Sequence, residues 1–148
     1  MNKINQTDGL QSVALSNLAF TVRNLNATIK WYGEIFGFEV IKRESFSAIG
    51  AEVAFLAVSD IKLEILEIKG QIRIPEMFAD APAHLLPIGN KVLVLKVKNL
   101  ALATQELEEK GVEFAWKNMN LTGDGSLNTM IRDLDGNFIS IFPIDQIS

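Results

Sequence analysis

Hydrophobic and polar residues alternate over residues 15–22. Leu18, Phe20 and Val22 fall on one face of a strand, and Leu15, Asn17, Ala19 and Thr21 on the other. The first set is bulky, as packing beneath a helix requires. The second is smaller and more polar, as suits a face lining a cavity. The period then changes. Asn24 is a good helix N-cap, Leu25, Ile29, Tyr32 and Phe36 follow at helical spacing, and Gly37 stands where a helix end often places glycine. Strands are expected over 38–46, 51–58 and 61–68, with Ser59-Asp60 as a hairpin connection between the last two. On the third of these, Ile61, Leu63 and Ile65 share one face, and Lys62, Glu64 and Leu66 the other.

The pattern stops at residues 69–90. Pro75, Pro82 and Pro87 leave room for about one helical turn near Glu76–Ala79. A connection this long can cross a surface or fold over a cavity mouth. Order resumes with a strand over 91–97, on which Leu93, Leu95 and Val97 are the counterparts of Leu18, Phe20 and Val22. A helix runs from Asn99 or Leu100 to Lys110 and ends at Gly111, followed by a strand over 112–117. The segment KNMNLTGDGSLN reads as a loop. Strands near 127–133 and 137–143 close the chain across Asp135-Gly136, a strong hairpin dipeptide.

The two halves are one pattern written twice. Val22-Arg23-Asn24-Leu25 returns as Val97-Lys98-Asn99-Leu100, and Gly37-Phe38-Glu39-Val40 as Gly111-Val112-Glu113-Phe114. Leu63-Glu64-Ile65-Leu66 matches Ile139-Ser140-Ile141-Phe142 in pattern, and the interval between copies hardly drifts. A repeat of this kind decides the fold before any single element does. The expected organisation is a flexible amino-terminal arm over 1–13 and one domain over 14–148. Within the domain, one βαβββ unit spans about 14–68, the connection 69–90, and the second unit about 91–143. The expected class is α+β: two βαβββ repeats forming a curved mixed sheet around a shared cavity, helices outside. The repeat places Asn17 opposite Val92 and Glu64 opposite Ser140 on the cavity face. Alternation adds Ala19, Thr21, Leu66, Val94, Lys96, Phe138 and Phe142. A mostly apolar wall with a few polar groups is what a small-molecule pocket needs.

Bulk properties narrow the classes. The chain has 148 residues, 48% of them hydrophobic and 22% charged, enough for one domain with a sizeable core. A net charge of −4 argues against a nucleic-acid surface, which needs clustered Lys and Arg. No apolar run reaches the length of a membrane span, and the first residues lack the apolar stretch of a secretory signal. A cytoplasmic location is the default expectation. Without cysteine there is no disulfide, thiolate nucleophile or Cys-based metal site.

Four segments carry a resemblance: NLAFTVRNLNATIKWYGEIFGFEV, KLEILE, LALATQELEEKGVEF and RDLDGNFISIF. Through them the chain resembles the vicinal oxygen chelate superfamily over about residues 14–143. That superfamily includes glyoxalase I, extradiol dioxygenases, methylmalonyl-CoA epimerase, fosfomycin-resistance transferases and bleomycin-resistance proteins. The ending Asp-x-Asp-Gly-Asn followed by a strand is the most specific part. The resemblance implies that chemistry sits at the start of each unit's first strand and in each unit's last strand. Metal-dependent members usually place His at the former and Glu at the latter. Those positions fall here on Asn17, Glu64, Val92 and Ser140, of which only Glu64 is a usual ligand. No metal or other cofactor is therefore expected. The sole histidine, His84, lies in the Pro-rich connection, away from the ligand positions.

The candidate site comprises Glu64 as base or lone ligand, and Asn17, Thr21, Val92, Lys96, Phe138, Ser140 and Phe142 as ligand contacts. Each has a plainer reading: Glu64 paired with Lys62 or Lys96, Lys96 solvated, the two phenylalanines packed, Asn17 and Ser140 remnants of a lost site. The favoured function is a metal-free protein that binds a small organic molecule, as a homodimer. One alternative is a lyase, isomerase or dioxygenase-like enzyme using Glu64 as base or metal ligand. Another is a structural or regulatory module with a vestigial cavity.

Overall fold

The computed structural model describes residues 5–121 and 123–146. Of the expected arm, residues 1–4 lie outside the described residues, as do 147–148 at the other end. The arm holds two 3-10 turns, Gln6–Asp8 and Leu10–Ser12, and then runs extended. Leu10 and Val13 on it, and Leu15 just after it, are 81–90% exposed.

The first unit comprises β1 (Leu18–Thr21), α1 (Leu25–Phe36), β2 (Glu39–Phe46), β3 (Ala51–Val58) and β4 (Ile61–Ile68). The second comprises β5 (Val92–Val97), α2 (Leu100–Glu109), β6 (Glu113–Asn120), β7 (Leu127–Arg132) and β8 (Phe138–Pro143). The strand orders β1-β4-β3-β2 and β5-β8-β7-β6 are the same order, and the first and last strands of each unit run parallel. The α+β class and the two βαβββ units are thus as the repeat predicted. The strands form two four-stranded sheets, without a ladder joining them among the described residues.

The repeated sequence explains the repeated local structure. Asn24 Oδ1 accepts the Ala27 N–H at 2.9 Å and Asn99 Oδ1 the Leu102 N–H at 3.0 Å, so equivalent caps start both helices. Gly37 ends α1 at φ +79°, a conformation that costs other residues energy. α1 buries Leu25, Thr28 and Tyr32; α2 buries Leu100, Thr104 and Leu107. Against them pack Leu56, Leu63 and Ile65 of one sheet and Ile131, Ile139 and Ile141 of the other, in one continuous cluster. Full burial of each such side chain contributes about 1.5–3 kcal/mol, so this cluster is the main cohesive term.

One element differs from expectation. β6 continues through Lys117, Asn118, Met119 and Asn120, which the polar composition assigned to a loop. The strand passes through two register shifts, between Phe114 and Trp116 and between Trp116 and Met119. Asn118 adopts φ +44°, and its N–H donates to Thr129 Oγ1 at 3.0 Å. A side chain thus takes the backbone group that the bulge frees from the ladder. Local polarity could not show that pairing.

The units also meet outside the core. The Tyr32 hydroxyl donates to Asp133 Oδ2 at 2.8 Å, the Arg23 N–H reaches the Asp135 carboxylate, and Lys110 Nζ donates to the Glu34 carbonyl at 2.7 Å. Asp133 is the centre of the Asp-Leu-Asp-Gly-Asn turn. Its Oδ1 accepts the N–H groups of Asp135 and Asn137, and its Oδ2 accepts from the Asn137 amide as well as Tyr32. Burial pushes the Asp133 carboxyl upward, opposed by these donors, and pushes the Tyr32 hydroxyl upward together with the Asp133 charge.

Candidate functional site

Strand alternation turns one row of each unit toward its helix and the other away. On β1 Leu18 and Phe20 pack inward, whereas Ala19 and Thr21 are exposed. On β5 Leu93 and Leu95 pack inward, whereas Val92, Val94 and Lys96 are exposed. The register pairs Ala19 with Glu64 and Thr21 with Leu66 in the first unit, and Val92, Val94 and Lys96 with Phe138, Ser140 and Phe142 in the second. The outward face of each sheet therefore carries the candidate residues in the rows alternation assigned.

Two of them touch. Asn17 Nδ2 donates to Glu64 Oε2 at 2.9 Å, and Asn17 Oδ1 accepts from Ser16 Oγ at 3.0 Å. Both ends of the Asn17 amide are thus engaged, and they hold the Glu64 carboxylate in place. Among the described residues Glu64 makes no other side-chain hydrogen bond and no ion pair, including with Lys62 or Lys96. One oxygen of a half-buried, oriented carboxylate is left to accept a donor.

The matching corner of the second unit is built differently. Val92 offers no polar atom. Ser140 is buried, and its Oγ accepts from Asn128 Nδ2 at 2.6 Å; Asn128 Oδ1 accepts from Trp116 Nε1 at 2.9 Å. Phe138 is 2% exposed, covered by the His84 ring at 4.3 Å between centroids and by the Arg132 guanidinium at 4.1 Å. Phe142 is half-buried, and Lys96 is exposed. Arg132 is held by Asp80 at 2.9 Å and by the Phe78 and Gly136 carbonyls. Burial, then the Arg132 and Lys91 charges, push His84 below its ordinary value, so its neutral form is favoured.

Sequence reasoning missed this cover over Phe138. His84 comes from the 3-10 turn Ala83–Leu85 of the connection, a segment without period. It also missed the Trp116–Asn128–Ser140 chain, because Trp116 and Asn128 lie on strands whose pairing passes through bulges.

Two cavities lie along the seam between the units. One, of about 350 Å³, is lined by β1, β5 and β8, including Phe20, Val92 and Phe138, with Met77 and Lys91 from the connection. The other, of about 290 Å³, is lined by Thr21, Arg23, Arg73, Phe78 and Asp135, among others. Glu64 and Ser140 line neither.

A sequence profile of the Glyoxalase/Bleomycin resistance protein/Dioxygenase superfamily matches residues 14–141. The chain belongs to that superfamily. Among solved structures, it is similar to the glyoxalase family protein from Enterococcus faecalis at 21% identity and a TM-score of 0.75. That match covers 90% of this chain and 99% of the other. A glyoxylase/bleomycin resistance protein/dioxygenase domain from Frankia sp. EAN1pec matches at 18% identity and a TM-score of 0.70, over 88% of this chain and 91% of the other. The trypanothione-dependent glyoxalase I of Leishmania major matches at 15% identity and 0.68, over 92% and 90%. At these identities the likeness shows the fold.

The superfamily includes metal-dependent members, and a divalent ion needs three or four donor side chains. Asn17 and Glu64 are tied to each other, Val92 has no donor atom, and Ser140 is committed to Asn128. Among the described residues no three His, Cys, Asp or Glu side chains are grouped to hold a metal ion. The residues at the four positions do not fit a divalent ion. No helix is long and apolar enough to cross a membrane.

Proposed function

We propose that this member of the superfamily binds a small organic molecule without a divalent metal, in a cavity completed by a second copy of the chain. The observation that carries this reading is the Asn17–Glu64 pair: an oriented carboxylate with one oxygen to spare, on a face of exposed Ala19 and Thr21. It suits recognition of a hydroxyl or N–H group on an otherwise apolar ligand. The homodimer is supported by the open state of both outward faces. Val92 and Val94 are 38% and 49% exposed, and among the described residues β1 and β5 are edge strands with no neighbour on one side. Exposed apolar side chains beside unpaired edges favour association. Val92, Lys96 and Phe142 then serve as walls of the shared space, whereas Thr21 lines the smaller cavity and Phe138 and Ser140 are buried.

The test has two parts. Light scattering gives the mass in solution, and elemental analysis gives metal content after exposure to Mn, Fe, Co, Ni and Zn in turn. A dimer without stoichiometric metal is expected, and ligands are then sought by thermal shift. Tightly held stoichiometric metal overturns the metal-free reading, and a monomer overturns the composite cavity. The free Glu64 oxygen also favours a second reading, in which it takes a proton from a bound substrate. Under that reading Glu64→Gln abolishes turnover while sparing binding, and unchanged turnover rules it out.

A further inference from the structure

The cavity of about 290 Å³ sits at the far end of β1 from the Asn17–Glu64 pair. Thr21 is four residues beyond Asn17, about 13 Å along a strand. Its lining has two guanidinium groups, Arg23 and Arg73, and one carboxylate, Asp135. That carboxylate is already committed: it accepts the Arg23 N–H at 3.3 Å and stands 3.7 Å from Arg23 Nε. A third guanidinium, Arg132, lies close behind. A Cβ added at Gly136 would stand 3.2 Å from one Arg73 nitrogen and 3.6 Å from one Arg132 nitrogen. Arg132 is compensated by Asp80 at 2.9 Å, with Glu113 at 3.7 Å.

Arg73 has no such partner. It makes no ion pair among the described residues, and its guanidinium lies 3.9 Å from the centre of the Phe78 ring. Stacking fixes the plane of the group without neutralising it. Gly136 leaves room beside the exposed Arg73 guanidinium and the edge of the Phe78 ring, where a Cβ would stand 3.2 Å from the one and 3.4 Å from the other. The rest of the lining is mixed: Val22, Ile72 and the Phe78 ring are apolar, and Thr21 and Gln71 are polar. Gln71 Nε2 donates to the Arg23 carbonyl at 3.1 Å and ties the connection to the end of β1. A fixed, uncompensated planar cation beside an apolar wall matches a carboxylate with a short hydrocarbon body. The volume is at the small end for ligand pockets.

We propose that this cavity binds a small organic carboxylate, with Arg73 pairing the carboxylate and Val22, Ile72 and Phe78 covering the hydrocarbon part. Arg23, at the rim, contributes charge. The site is separate from the metal-free reading above and stands or falls without reference to Glu64 or to metal content.

Isothermal titration of the full-length protein at low ionic strength tests it, with sodium hexanoate as the probe and inorganic phosphate as the comparison anion. Saturable hexanoate binding is expected, at least tenfold tighter than phosphate. Arg73→Met weakens it tenfold or more. Ile72→Glu, which puts a competing carboxylate at the exposed lip of the cavity next to Arg73, does the same while leaving both arginines in place. Arg73→Lys keeps the charge but loses the planar fork, and gives an intermediate loss that excludes misfolding as the cause. Lys30→Met, on the exposed side of α1, leaves binding unchanged. Absence of saturable binding overturns the site, as does undiminished affinity in Arg73→Met. Phosphate binding as tight as hexanoate overturns the requirement for an organic body.

Discussion

In the first unit the two proposed site residues, Asn17 and Glu64, are joined to each other at 2.9 Å on a partly open face. In the second, Val92 is bare hydrocarbon, and Ser140 lies buried in a hydrogen-bonded chain that ends on Trp116. The helix-facing rows of the same strands are alike: Leu63 and Ile65 on one side, Ile139 and Ile141 on the other, all at most 1% exposed. The two halves share what packing demands and differ where packing demands nothing. A core position must be apolar and the right size, so the repeat persists there. The outward face is free to become a polar pair in one half and a covered network in the other. The tight turns differ in the same way. Ser59-Asp60 merely joins β3 to β4, whereas the turn between β7 and β8 uses Asp133 to hold Tyr32 of the other unit.

The comparison breaks most severely at that turn. Asp133→Ala leaves the Tyr32 hydroxyl, two backbone N–H groups and the Asn137 amide without their acceptor in a buried place. A loss of about 3–5 kcal/mol is expected from the shift of the urea midpoint. No comparable loss follows Asp60→Ala in the equivalent turn of the first unit.

Next in size is the buried chain of the second unit. Asn128→Ala strands the Trp116 N–H and the Ser140 hydroxyl and should cost about 1–3 kcal/mol by the same measurement. The parallel change in the first unit, Asn17→Ala, strands no fully buried donor and should cost no more than about 1 kcal/mol.

The cover over Phe138 carries a pH signature. The folded protein holds His84 below its ordinary value, so the unfolded chain takes up the proton first as pH falls. The stabilisation from neutral His84 is complete above the unfolded value near 6.5 and is lost as pH falls through the lower folded value. Asp133 acts with the opposite sign and nearer its own ordinary range: its raised folded value favours the protonated carboxyl, so its term declines as pH rises. Urea midpoints from pH 7 to pH 5 should therefore fall less in His84→Phe than in the wild type. Equal slopes would remove His84 from the account.

The smallest effect on stability is at the pair itself. Glu64→Gln should change the midpoint by less than about 1 kcal/mol, because the carboxylate is only half-buried and makes a single side-chain hydrogen bond. An effect of several kcal/mol would mark Glu64 as a structural residue and weaken its assignment to a ligand.

Much of the fold was legible in the chain. Two periods, two Asn caps and a doubled motif placed α1, β2, β3 and β4 within a residue, whereas β1 begins three residues later than the alternation from residue 15 suggested. The outward rows were legible too, since a strand's period of two fixes which residues share a face. The contacts those rows make were not. That Asn17 meets Glu64 while Ser140 meets Asn128 depends on which strands pair and in what register. That His84 covers Phe138 depends on the path of a connection without period. That Arg73, stacked on its near neighbour Phe78, also meets Gly136 depends on where the connection passes the turn between β7 and β8. Sequence alone set the repeat, the class and the helix-facing core, because burial of apolar surface and backbone caps act locally or by simple period. Only the tertiary structure decided which polar groups are satisfied and which are left to bind, because satisfaction is a property of neighbours in space.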